Sequence, residues 1–339
     1  MSSGLARRLL LTREIPAKND AISIIFELSA CEIHSCIKLR EVFMKTAGII
    51  GLGDMGSGLA KNLLQNGIET HGFDLSDERM TAFVDLGGQM ASSVADVGAK
   101  ANSVFVMVMN GDQAKSVILG DAGLVHCMAK GSTIVLTATI KPSEAREIGK
   151  AMWGSGIHLI DSPVSGGFPG AQSGTLTMMA AGEAWVLDEN LSIMQAVSKT
   201  IHYVGERAGD GQIVKACLQS LIGSIFSATF EASALAAKAG VSGDVLYKVF
   251  STSGAGCSVA NTALEHIIDR KFEGTGSHIN TMHKDLTISL NLAEELGVPM
   301  QTASTAMQVF QAGKSKYPHG DNWACTRVIE DIIGAELHR

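Results

Sequence analysis

No stretch of the 339 residues approaches about 18 uninterrupted apolar residues, and the nearest, Ala21 to Phe26, is far too short to span a bilayer. A soluble protein without a membrane partner is expected. Basic runs are missing as well. Lys plus Arg number 27 against 34 Asp plus Glu, a formal charge of -7, so no positive track is present to follow a phosphate backbone and nucleic acid is excluded as an expected partner. The six cysteines, at 31, 36, 127, 217, 257 and 325, contain no C-x-x-C pair and lack the density of a disulfide scaffold. They read as reduced thiols of a cytoplasmic protein. Ten histidines form no H-E-x-x-H, so no metal site is expected.

Glycine, by contrast, is abundant: 37 residues, about 11% against a usual level of about 7%, which implies many tight turns and close backbone approaches. At about 150 residues per domain the length suggests two domains. Residues 1–43 differ from the rest, with Arg7, Arg8 and Arg13 ahead of a short apolar run. They read as a leader of doubtful function, with Met44 as the physiological start. A transit peptide is the alternative, weakened by Glu14, Asp20, Glu27 and Glu32.

From residue 45 to 205, β-rich runs at 46–50, 68–73, 103–109, 133–139, 157–160 and 175–181 alternate with helical stretches, the pattern of a doubly wound parallel sheet. Gly67 closes the first helix and Pro142 opens the one that Gly154 and Gly156 end. Residues 212–239 contain no proline and one glycine, Gly223, and are apolar on nearly every face. One long buried helix is expected there, the spine of a second domain. Further helical patterns at 243–250, 259–270, 283–296, 302–312 and 323–333 make that domain all helical. The expected division is 44–208 and 209–339, an α/β Rossmann-type domain followed by an all-helical one.

Three sites carry chemistry. Gly51-Leu52-Gly53-Asp54-Met55-Gly56 follows the first strand and opens a helix, the context in which G-x-G-x-x-G holds a dinucleotide. Gly51 allows the turn, Gly53 lets the backbone reach the diphosphate, and Gly56 lets helix and strand pack closely. Asp74 ends the second strand, 21 residues beyond Gly53, where a carboxylate binds ribose hydroxyls and repels a 2′-phosphate. No arginine stands in the next four residues, so NAD is the expected cofactor. A helix-capping role for Asp74 is the alternative, although Ser76 and Asp77 are placed to cap that helix themselves.

The second site is Asp161-Ser-Pro-Val-Ser165-Gly166-Gly167, a glycine-bearing turn after an apolar strand, whose successive N–H groups suit a carboxylate. Taken alone, a plain loop accounts for it equally well. The third is Lys215, a cation in the first turn of an apolar helix with only Glu231 and Lys238 as further charges. Burial would lower its pKa, as a catalytic acid or base requires, while a snorkelling lysine at a helix start is the alternative.

GLGDMG, DSPVSGG, the G-x-x-x-K of Gly211 to Lys215 and the HKDL of His283 to Leu286, in this order, resemble the β-hydroxyacid dehydrogenase family over residues 44–339. The resemblance implies a nucleotide-binding domain joined to a helical domain that builds a homodimer or homotetramer. It implies Lys215 as the catalytic lysine, Ser165, Gly166 and Gly167 on the carboxylate of a small hydroxy acid, Lys284 beside the nicotinamide, and Thr139 on the cofactor. Ala138 replaces the family's serine. Gln219 stands where the family commonly has Asn, and Asn110 where many members have proline. Both features are similar to the L-threonate dehydrogenase branch, with Gln219 a substrate contact and Asn110 a cofactor contact. 3-Hydroxyisobutyrate dehydrogenase and tartronate semialdehyde reductase are the alternatives within the family. A non-catalytic nucleotide-binding module is the alternative outside it, and Lys215 argues against that.

Overall fold

The computed structural model describes residues 46–339; the expectations for residues 1–43 and for Met44 lie outside the described residues. Nine strands form one sheet: β1 Ala47–Ile50, β2 Thr70–Phe73, β3 Gln89–Met90, β4 Ser103–Val106, β5 Thr133–Leu136, β6 His158–Asp161, β7 Val164–Ser165, β8 Leu176–Ala181 and β9 Ser198–Gly205. β1 lies between β2 and β4, parallel to both, with Ala47 opposite Thr70 on one side and Ser103 on the other. The chain winds from there outward in both directions, in the order β3-β2-β1-β4-β5-β6. A crevice therefore opens at the C-terminal ends of β1 and β4, where such sheets hold nucleotides.

The side-chain alternation of the strands builds two cores. Ile49, Phe105, Val135 and Ile160 face one layer of helices, while Ile50, Val104, Ile134 and Leu136 face the other. Helix ends follow local chemistry. The Ser76 hydroxyl accepts the Arg79 N–H at the start of Asp77–Asp85, and Pro142 opens Pro142–Ala151 with Glu144 accepting the Lys141 N–H.

The sheet departs from the expected all-parallel pattern past β6. β8 runs antiparallel to β6, with Asp161 opposite Ala181, and antiparallel to β7; β9, which the sequence pattern did not indicate, lies parallel to β8. β9 has an exposed Tyr203 and Lys199 and no fully apolar face, so it carries little of the alternation that marks a half-buried strand.

The spine is a single helix, Asp210–Ala239, about 45 Å long at 1.5 Å per residue. By length and composition it could cross a membrane, but it buries the polar residues Gln212, Lys215, Gln219, Ser227, Thr229 and Ser233 within the protein, Gln212 against the sheet domain. The helices wrapped around it are Gly243–Thr252, Ser258–Ile268, Ile279–Leu296, Gln301–Lys316 and Cys325–Ile333, around a core of Phe226, Phe230, Phe310 and Trp323. Gly223 costs helix propensity for a packing reason: a Cβ there would stand 2.8 Å from Leu286 of the crossing helix. That crossing helix begins four residues before the expected His283, so the HKDL residues sit inside its first turns instead of at its start.

Candidate active site

The glycine loop has one shape available to it. Gly51 has φ +92°, and a Cβ there would lie 2.2 Å from the Met107 carbonyl; one at Gly56 would lie 1.8 Å from the Gly51 carbonyl. Gly53 is different, because its Cβ would meet nothing closer than the Arg79 guanidinium at 3.8 Å. It is the N-cap of helix Asp54–Gln65 and makes no side-chain cap, so the first-turn N–H groups and the positive end of the helix are left for an anion. This cradle fits a dinucleotide diphosphate. Leu52 is buried beneath the loop and Met55 packs on the sheet core, so these two hold the loop from below.

At the end of β2, Asp74 accepts the Leu52 N–H at 2.7 Å and the Ser76 N–H at 2.9 Å. Those bonds aim its carboxylate at the glycine loop. Arg79 was not singled out by the sequence, being five residues beyond Asp74, yet one helical turn brings its Nη1 to 3.5 Å from Asp74 Oδ2. Leu52, Gly53, Asp54, Ser57, Arg79 and Phe83 line a cavity of about 410 Å³ on this side, where an adenosine half belongs.

The DSPVSGG turn closes β7. Ser165 ends the strand half-buried, and Gly166 and Gly167 follow with φ +131° and +59°, two successive left-handed residues that only glycine adopts freely. The turn is tied to the spine helix through Gly211, whose Cβ would stand 2.7 Å from the Asp161 carbonyl and 2.9 Å from Pro163 Cδ. Asp161 itself is fully buried at the helix start. It accepts the Gly209 and Gln212 N–H groups at 2.8 and 3.3 Å and the Gln212 side-chain amide at 2.7 Å. Gln212 also donates to the Ala138 carbonyl and accepts from the Ile140 N–H. Burial pushes the Asp161 carboxyl up to about 6 against these donors.

One turn further along, Lys215 is 6% exposed, and no described residue accepts a hydrogen bond from it. Burial lowers its pKa; the nearby Lys284 adds to that and Asp285 opposes it. Gln219, one turn beyond, donates its amide to Asp285 Oδ2 at 2.6 Å, while Lys284 Nζ lies 2.9 Å from Asp285 Oδ1 and 2.7 Å from the Thr139 carbonyl. Gln219 and Lys284 thus converge on Asp285, a buried carboxylate whose charge also acts on Lys215 and which the sequence offered only as part of HKDL. The Ser289 hydroxyl, donating to the Ala216 carbonyl at 2.8 Å, fixes the register that brings the two helices together here.

Thr139 therefore meets the site through its carbonyl. Asn110 is the N-cap of helix Gly111–Leu119, its Oδ1 accepting the Gln113 N–H at 2.9 Å, which leaves its amide nitrogen for a ligand. The arrangement is a diphosphate cradle at one end and a desolvated amine beside an ordered carboxylate at the other.

Residues 46–205 match the profile of the NAD binding domain of 6-phosphogluconate dehydrogenase, and residues 209–329 that of the NAD-binding of NADP-dependent 3-hydroxyisobutyrate dehydrogenase. An L-threonate dehydrogenase of Cupriavidus necator is 32% identical over 86% of this chain and 98% of its own. A 2-(hydroxymethyl)glutarate dehydrogenase of Eubacterium barkeri is 30% identical over 86% and 96%. Among solved structures, a 3-hydroxyisobutyrate dehydrogenase from Salmonella typhimurium superposes with a TM-score of 0.77 at 29% identity, covering 84% of this chain and 99% of that one. The fold matches that of this solved structure, and with these profiles and relatives the chain belongs to the β-hydroxyacid dehydrogenase family of nicotinamide-dependent oxidoreductases.

Proposed function

We propose that this enzyme oxidises a small C3–C4 hydroxy acid, L-threonate first among them, with NAD. The observation that carries the reading is the buried Lys215 amine, from which no described residue accepts a hydrogen bond, within the charge influence of Asp285. An amine whose protonated form is disfavoured by desolvation is more readily free of its proton and able to take one from a substrate hydroxyl. Nicotinamide, when bound, accepts the hydride from the carbinol carbon. The chain's own part is to place the hydroxyl against Lys215 Nζ, to orient the carboxylate on the Ser165–Gly167 turn and to keep the site dry. Lys284, spanning Asp285 and the Thr139 carbonyl, holds the nicotinamide end of the cleft closed.

The preference for L-threonate rests on Gln219. Its amide nitrogen is committed to Asp285, which leaves Oε1 as an acceptor for a further substrate hydroxyl. A pocket for 3-hydroxyisobutyrate would be more apolar, and that acid and tartronate semialdehyde are the second reading. Asp74 supports NAD. A homodimer is supported by the spine helix, which leaves Val214, Cys217, Leu221, Ala228 and Leu235 exposed along one face, interrupted by Glu231 alone. Reduced thiols support the cytoplasm as its place.

Lys215→Ala tests the mechanism. It should lower kcat by about 100- to 10,000-fold while the Kd for NAD, measured by calorimetry, changes less than about twofold. In the unmodified enzyme kcat for oxidation should rise with pH through the lowered lysine pKa and then level. Near-normal kcat in the variant would make Lys215 a packing residue and leave the proposed hydride transfer without its proton carrier. A panel of L-threonate, 3-hydroxyisobutyrate and tartronate semialdehyde, assayed by NADH absorbance, ranks the substrates.

A further inference from the structure

His278 belongs to none of the motifs. It is the residue ahead of helix Ile279–Leu296, the helix that carries Lys284 and Asp285, and its side chain leaves the helical domain. Its Nε2 lies 3.0 Å from Oδ2 of Asp54, the first residue of the glycine-loop helix and 224 positions away in sequence. Its Nδ1 lies 3.3 Å from Oδ1 of Asp321, which is fully buried. Asp321 is itself fixed: its Oδ2 accepts the N–H and the hydroxyl of Thr275, and that hydroxyl accepts the indole N–H of Trp323. A backbone bridge between His278 and Asp321 completes the support.

Asp54 occupies an awkward place. A carboxylate in the first turn suits the helix macrodipole, but this helix end is also the cradle for a diphosphate, which an uncompensated anion there repels. The Nε2 contact with Asp54 is a hydrogen bond, with the ring N–H donating to the carboxylate, while the Nδ1 contact with Asp321 is a distance without hydrogen-bond geometry. The donated bond draws the Asp54 carboxylate towards the helical domain and away from the cradle.

We propose that His278 is a positioning residue for the cofactor diphosphate: it holds the Asp54 carboxylate away from the mouth of the glycine loop and couples the HKDL helix to that loop. The proposal rests on the nicotinamide dinucleotide reading of the site. Binding to the full chain tests it without turnover, with NAD and adenosine as probes. His278→Ala should weaken NAD roughly three- to tenfold, the scale of one partly screened charge, and leave adenosine, which has no phosphate, unchanged. The double variant Asp54→Asn/His278→Ala should return NAD affinity to within about twofold of the unmodified chain, since the repelling charge is gone. If the double variant binds NAD as poorly as His278→Ala, or if adenosine is lost in parallel with NAD, His278 is a structural cap and the proposal fails. An unmodified chain that binds no NAD would instead refute the cofactor reading itself.

Discussion

Two glycines of one motif should fail in opposite ways. At Gly56 a Cβ would stand 1.8 Å from the Gly51 carbonyl oxygen, whereas real Cβ contacts are essentially never under 3.0 Å, so backbone must move by at least 1.2 Å. Both partners are main chain, and Gly51 is held from its other side by the Met107 carbonyl. Overpacking of this kind costs about 1–3 kcal/mol or more. At about 2–4 °C per kcal/mol for a domain of this size, the upper part of that range, about 2–3 kcal/mol for a clash of main chain with main chain, means that Gly56→Ala should lower Tm by about 4–12 °C. Gly53→Ala meets no such obstacle, since its φ of -66° is open to any residue and its nearest neighbour is 3.8 Å away. Alanine is a poorer N-cap than glycine by about 0.5–1 kcal/mol, so Tm should fall by no more than about 3 °C. Its methyl group, however, stands on the face where the helix N–H groups meet a diphosphate, and NAD affinity should fall at least tenfold, about 1.4 kcal/mol. Thermal melts of the free protein and calorimetric titration with NAD separate the two effects. Equal Tm losses, or a Gly53→Ala protein that binds NAD normally, would refute the division of labour.

On the proposed NAD reading, cofactor choice turns on Asp74 and Arg79. NAD should be preferred over NADP, Asp74→Ala should narrow that preference, and Arg79→Ala should widen it by removing the cation nearest the ribose site; equal kcat/KM for both cofactors in all three proteins would discard this assignment. The Asp161 carboxyl gives a stability prediction. Its native pKa of about 6 exceeds the model-peptide 3.8, so the native state holds the extra proton between these values, and the stabilisation present below 3.8 is lost as pH rises to about 6. The difference of 2.2 units corresponds to about 3 kcal/mol. Urea melts at pH 4 and pH 7 should show a larger loss in the unmodified chain than in Asp161→Asn, and an equal loss would place Asp161 outside the titration.

The glycine loop, the buried strands and the spine helix were legible in the sequence because each is a local pattern: a motif in its strand-turn-helix context, a run of apolar residues, or 28 residues without a breaker. The orientation of β8 was not, since Leu176–Ala181 is apolar whichever way it runs and only its pairing with Asp161 decides. Arg79 escaped because a window of four residues ignores the helical turn that folds position five back onto Asp74. Asp285 lay in view within HKDL, but its importance comes from Gln219, 66 residues away, and depends on a helix register that no local pattern records. His278 and Asp54 are further apart still.

The joint between the sheet and the spine helix has a consequence for motion. Gly211 has no room to slide: even a methyl group would collide with the carbonyls of Asp161 and Met179, 2.7 and 2.6 Å away, and the Asp161 bonds to Gly209 and Gln212 fix the same point. Translation of one domain across the other would break several buried hydrogen bonds at once. Rotation about that point spares them, because the segment entering the helix includes Gly209 at φ +98°, and parts instead the contacts across the cleft, Lys284 to the Thr139 carbonyl and His278 to Asp54. The joint therefore favours opening by a hinge over a shear. Lys215, one turn beyond Gly211, follows the helix start directly, so its displacement in such an opening is set by that joint.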